Sequence, residues 1–191
     1  MKINDLLGFI LLSAACNPEG VHSEADARRA YLGLDTAVTR GLNLGMDGYN
    51  AASSANIDAQ SANGDLEGSI TVSGQVDQGS SDNKELRLDV VLDGYLDDTS
   101  DSDVIFAVVY DSESPLTLDL SLRGIPDGTL SGSFEGEVWM SDDLEGPVLL
   151  DLSLEGELEA GPNGIARTEG GTQITGTATS DYGTYEVDLT R

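Results

Sequence analysis

The chain holds one cysteine, one histidine and one tryptophan (Cys16, His22 and Trp139), and each scarcity closes a class of function. A lone thiol forms no intrachain disulfide, so stability has to come from a hydrophobic core. The one histidine, His22, falls ahead of the expected fold, a place that argues against a His-based catalytic triad, and a single histidine cannot build a multi-His metal site within this chain. Aromatic residues make up 5% of the sequence, too few for the stacking surfaces of a sugar cleft. Lys and Arg number 9 against 35 Asp and Glu, a formal net charge of −26. Such a surface repels nucleic acid and anionic headgroups and excludes a phosphate-binding role. No Gly-rich loop carrying a Lys is present to cradle phosphate. Nor is there an apolar run of the roughly 20 residues that a transmembrane helix needs.

What remains is 191 residues, 39% hydrophobic and 23% charged, a globular composition that suits one domain with a sizeable core. The acidic excess favours cationic partners or divalent metal. Seven of the nine basic residues are Arg, a usage that the sequence alone ties to no mechanism.

The N-terminus has its own grammar. Met1-Lys2-Ile3-Asn4-Asp5 supplies one Lys, Leu6-Leu7-Gly8-Phe9-Ile10-Leu11-Leu12 is apolar, and Ser13-Ala14-Ala15 are small residues before Cys16. This succession resembles the lipobox signal peptide of bacterial lipoproteins, whose cysteine is acylated and becomes the new N-terminus. It departs from the commonest form in placing Ser13 three residues before the cysteine and Leu12 one place earlier. The resemblance implies a signal peptide over 1–15, palmitate and further acyl chains on Cys16, and a tether over 16–22. It implies a place in the cell envelope, held to a membrane by that anchor. In Gram-negative members of the family Asp after the cysteine favours the inner membrane; Asn17 therefore points to the outer membrane.

The remaining residues, 23–191, read as one β-rich domain. Ser23-Glu24-Ala25-Asp26 resembles a capping box, and Ala27, Ala30, Tyr31, Leu34 and Val38 follow at helical spacing. Arg40-Gly41 supplies a terminal cation and a stop, which predicts a helix over about 24–40. Residues 41–63, rich in Gly, Ala, Ser and Asn, read as a loop or a frayed second helix. From about 65 the period becomes two. Leu66, Ile70, Val72 and Val76 alternate with polar residues, as do Leu86 to Leu92, Leu116 to Leu122, Leu130, Phe134 and Val138, Leu150 to Leu154, and Tyr185 to Leu189. Val104 to Tyr110 is apolar on both parities, which calls for a cover over one face, and the helix is the natural one.

Short polar turns at 77–83, 97–103, 126–128, 142–143 and 161–164 predict an antiparallel meander. Pro115 to Leu122 recurs thirty-two positions later as Pro147 to Leu154, which a repeated hairpin explains. The expected fold is mainly β, a soluble barrel or strongly curved sheet with one N-terminal helix packed on or in it. A transmembrane barrel fits less well, because aromatic girdles are missing and Arg191 ends the chain. In outline the expectation looks similar to lipocalin-like barrels and to the half-barrels that carry lipids, with no motif of either.

Gly68, Gly74, Gly132, Gly136, Gly156 and Gly176 occupy the apolar parity of their strands. They read first as sites of sharp curvature, and alternatively as the lining of a cavity for an apolar ligand or for the helix. Trp139, Val91 and Tyr95 sit on the polar parity and read as strand-end residues tucked under a loop, or else as a partner patch. The acids at 97–103 do not match a calcium loop and read as a solvated turn. No catalytic constellation emerges, and no cofactor or metal site is expected. The reading favoured is a non-catalytic, lipid-anchored envelope protein that meets a protein partner through its acidic scaffold; the alternative is a carrier of an apolar small molecule such as a lipid.

Overall fold

The computed structural model describes residues 20–98, 107–161 and 164–191. The expected signal peptide, Cys16 and residues 17–19 lie outside them, as do 99–106 and the turn residues Pro162 and Asn163.

Ser23 starts the helical arm as its sequence predicts. Its Oγ accepts from the Asp26 amide at 3.2 Å and donates to the Asp26 carboxylate at 2.5 Å. The helix α1, Glu24–Leu32, is followed after a two-residue break by α2, Asp35–Ala51. The break falls where Tyr110 presses on the arm. Its hydroxyl donates to the Ala30 carbonyl at 2.8 Å, and a Cβ on Gly33 would lie 2.3 Å from that hydroxyl.

The predicted stop at Arg40-Gly41 is corrected: α2 runs on to Ala51. Gly41, Gly45 and Gly48 line one face of it, where added Cβ atoms would lie 2.9 Å from methyls of Leu118, Leu88 and Ile57. These glycines let the helix sink onto the sheet. Each costs about 1 kcal/mol of helix propensity, which the close packing offsets. Of residues 41–63, read as a loop or a frayed second helix, the first part is thus helical and the rest forms a short connection and a strand, β1, Asn56–Asn63. Only Ile57 of that strand is buried, so its apolar signal is faint.

Eight strands follow: β2 Glu67–Val76, β3 Lys84–Leu96, β4 Val108–Asp111, β5 Leu116–Arg123, β6 Thr129–Asp142, β7 Gly146–Gly161, β8 Gly164–Ser180 and β9 Gly183–Thr190. All pair antiparallel in one sheet, ordered β1-β2-β3-β4-β6-β7-β8-β9, with β5 also lying between β3 and β6. Strands β4 and β5 thus act as one interrupted row, β5 pairing the first half of β3 and β4 pairing Tyr95 near its end. The two copies of the sequence repeat fall on β5 and β7, flanking β6 on either side, as a repeated hairpin requires.

The sheet is strongly curved and, among the described residues, does not close into a complete barrel. Strands β1 and β9 are its edges, and no pairing joins them among the described residues. Helix α2 packs on β1, β2 and β3 at one end of the strand order and on β8 near the other, while α1 packs on β8 and β9. One helix touches both ends only if the sheet curls around it. Tyr31, Leu34, Val38 and Leu42 therefore share one apolar core with Leu88, Leu118, Phe134, Leu152, Ile174 and Val187. The outward parity carries mainly Asp, Glu, Ser and Thr, in contrast to the apolar exterior of a lipid-embedded barrel.

The predicted inward residues are buried with two exceptions: Tyr185 is half-buried and Leu66 is 62% exposed. Leu66 lies in a bend ahead of β2, where it and Glu67 are both exposed. Ser69 faces Asp93 but Glu67 faces Leu96, so β3 carries one extra residue there. Gly94 (φ 56) sits at this bulge, and the side-chain parity of β3 flips beyond it. Tyr95, read from sequence as outward, turns fully into the core.

Candidate functional site

The chain enters the fold earlier than its sequence suggests. The sequence places residues 20–22 within the tether, yet Gly20 and Val21 are buried and the Val21 carbonyl accepts a hydrogen bond from Ser180 Oγ. The His22 ring stands edge-on to Tyr182, with centroids 6.2 Å apart, and its Nδ1 lies 3.3 Å from an Asp26 oxygen. His22 is thus packed on the β8–β9 turn instead of lying outside the domain. No alternating or helical period covers these three residues, so pattern reading passes over them.

Beside this entrance lies an open cleft of about 430 Å³, lined in part by Gly20, Trp139, Pro147 and Tyr182. Trp139 pairs with Pro147 across β6 and β7, and Leu149 is the next outward residue of β7. Trp139 is 52%, Leu149 48% and Tyr182 63% exposed. The expectation that Trp139 and Val91 tuck under a loop is corrected: both side chains are exposed on the outer face. Glu145 and Asp181 rim the cleft, and none of its lining residues is a cation.

The six inward glycines face backbone, not open space. A Cβ would lie 2.0 Å from the Gly94 carbonyl oxygen at Gly68, 2.3 Å from that of Arg87 at Gly74, and 2.0 Å from that of Asp119 at Gly132. At Gly176 it would lie 2.1 Å from the Asp151 oxygen, at Gly136 3.0 Å from the Leu116 Cα, and at Gly156 2.6 Å from Thr172 Oγ1. They mark places where neighbouring strands approach too closely for a side chain, which is the curvature reading. The concave space in front of them holds the helical arm.

Two polar clusters fasten that arm to the sheet. Arg40 donates to Tyr95 Oη at 3.2 Å, to Asp65 at 2.9 Å and to Asp97 at 3.1 Å, and Tyr95 donates to the other Asp97 oxygen. Asp97, read from sequence as part of a solvated turn, is buried. Burial pushes the Tyr95 hydroxyl well above the usual tyrosine range, and the bond to Asp97 adds to it. Burial works against the Arg40 charge, but its bond to Asp65 and the field of Tyr95 and Asp97 reverse this and raise its pKa.

At the N-terminal end of α2, Asp35 accepts from Tyr31 Oη at 2.8 Å and pairs with Arg167 at 2.9 Å and Arg191 at 3.4 Å. Arg167 also donates to Thr39 Oγ1 and to the Asp35 carbonyl, both at 2.8 Å. Burial, then the Asp35 charge, raises the Tyr31 pKa. These clusters answer the arginine usage: the planar guanidinium makes several directed bonds where an ammonium would make fewer. Sequence offers little sign of them, because each arginine reaches partners 25 to 156 residues away.

Among the described residues no group of three or more His, Cys, Asp or Glu side chains is placed to hold a metal ion, and no helix is long and apolar enough to cross a membrane. Comparison with protein-family models, curated proteins and solved structures finds no match to the chain.

Proposed function

We propose that this chain is a lipid-anchored, non-catalytic protein of the cell envelope, acylated on Cys16 and oriented to the outer membrane, which meets a protein partner through its acidic β-scaffold. The observation that carries this choice over a lipid carrier is the filling of the concave face. Tyr31, Leu34, Val38 and Leu42 occupy the space in which an apolar guest would sit, and they pack continuously with the sheet. Removing the arm to admit a ligand would break both the Arg40 and the Arg167 clusters. A net charge of −26 then leaves the outer face to a basic envelope protein or to cations.

Two measurements test the proposal. Labelled palmitate should enter the full-length chain and not the Cys16→Ser variant; equal labelling of both, or of neither, overturns the anchor. Native mass spectrometry of the Cys16→Ser protein should show the bare polypeptide mass, whereas co-purified lipid would favour the carrier.

A further inference from the structure

The entrance described above fixes how the anchored domain would stand. Gly20 is held beneath Tyr182 and Glu145, so that only residues 17–19 separate the packed fold from Cys16. Four fully extended residue steps reach about 14 Å. The headgroup layer on one side of a bilayer accounts for about 5–8 Å of that. The end of the sheet bearing Gly20 therefore stays against the lipid surface, whatever path the short tether takes. That end also carries the exposed Trp139, Leu149 and Tyr182.

We propose that the Trp139–Leu149–Tyr182 face lies on the membrane, with its rings at headgroup level, so that the anchor sets the orientation of the domain as well as its location. The inference rests on acylation of Cys16. Amphipathic rings favour the bilayer interface, where an apolar body and a polar edge are both satisfied. Glu145 and Asp181 at the cleft rim, together with the net charge, select zwitterionic over anionic lipid.

Trp139 is the sole tryptophan, so its emission reports on this face alone. The acylated protein, expressed from the full-length chain, is reconstituted in phosphatidylethanolamine–phosphatidylcholine vesicles, plain or brominated near the headgroup end of the acyl chains. The expected result is a blue shift on plain vesicles and quenching on brominated ones. Leu149→Glu with Tyr182→Glu, which keeps the reporter, should lose the quenching while the acyl mass and far-ultraviolet circular dichroism are retained. A long Gly-Ser insert after Asn17 should weaken it. Acylated, vesicle-bound protein whose Trp139 emission ignores brominated lipid would refute the docking and leave the anchor standing. So would a Trp139 shift that appears only on adding envelope protein. A purified chain without acyl mass would remove the anchor and the docking together.

Discussion

Replacing Gly132 by alanine puts the curvature argument at most risk. Gly132 lies on β6, paired on both sides, with Leu120 of β5 and Leu154 of β7 as its register partners. A Cβ there would sit 2.0 Å from the Asp119 carbonyl oxygen and 3.0 Å from the Leu120 Cα. Ordinary contact begins near 3.4 Å, so more than an ångström must be recovered by moving backbone, since no rotamer change relieves a clash with a carbonyl. Overpacking that side chains can absorb costs about 1–3 kcal/mol, and a backbone clash belongs at or above the top of that range. We expect a loss of about 3 kcal/mol. With a urea m-value of about 2 kcal/mol/M, the midpoint falls by about 1.5 M. Gly79→Ala serves as the control, because its Cβ meets only the Ser81 amide at 3.9 Å. It should stay within about 0.5 kcal/mol of the parent. Equilibrium urea unfolding of both variants in the Cys16→Ser background, followed by far-ultraviolet circular dichroism, makes the comparison. Equal midpoints for the two variants, with unchanged m, would refute the claim that inward glycines exist for strand approach.

Arg167→Met leaves the buried Asp35 carboxylate with the Tyr31 hydroxyl and the longer Arg191 pair, and should cost up to about 3 kcal/mol in the same assay; a loss below about 1 kcal/mol would show the cluster to be incidental. Tyr110→Phe deletes one buried hydrogen bond to the Ala30 carbonyl and should cost about 1 kcal/mol by thermal unfolding. The pH dependence is alkaline. Burial raises the pKa of Tyr31, Tyr95 and Tyr110 above the ordinary value of 10.0. Their contribution is complete below pH 10 and is lost as pH rises towards the folded-state values, because the unfolded chain then holds fewer protons. Three tyrosines give a slope of at most about 4 kcal/mol per pH unit, read from urea midpoints between pH 9 and 12. A flat profile across that window would contradict the burial of these hydroxyls.

The curved β-architecture was legible because burial follows period two along long strands such as β6 and β7, and the helical stripe was legible from Ala27 to Val38. Three features escaped for physical reasons. Parity reading assumes an unbroken pleat, so the bulge at Gly94 hides the inward turn of Tyr95, and it also assumes that a strand has begun, whereas Leu66 lies in a bend ahead of β2. Gly41 looks like a stop by propensity, but its missing side chain serves packing against Leu118, which only the folded partner reveals. The entrance at Gly20 to His22 has no period at all. Its hold comes from single contacts to a turn about 160 residues later, such as the bond from Ser180 to Val21.

The unjoined margins of the sheet carry a cost beyond architecture. Among the described residues strands β1 and β9 each pair on one side only, and the row of amides and carbonyls on the other side is a template on which a second chain could build. The arm that lies across the gap is thus a guard against self-association as well as ballast for the interior. Its two arginine locks are the latches of that guard. A variant with α2 loosened would be expected to polymerise edge to edge before it lost its β-structure.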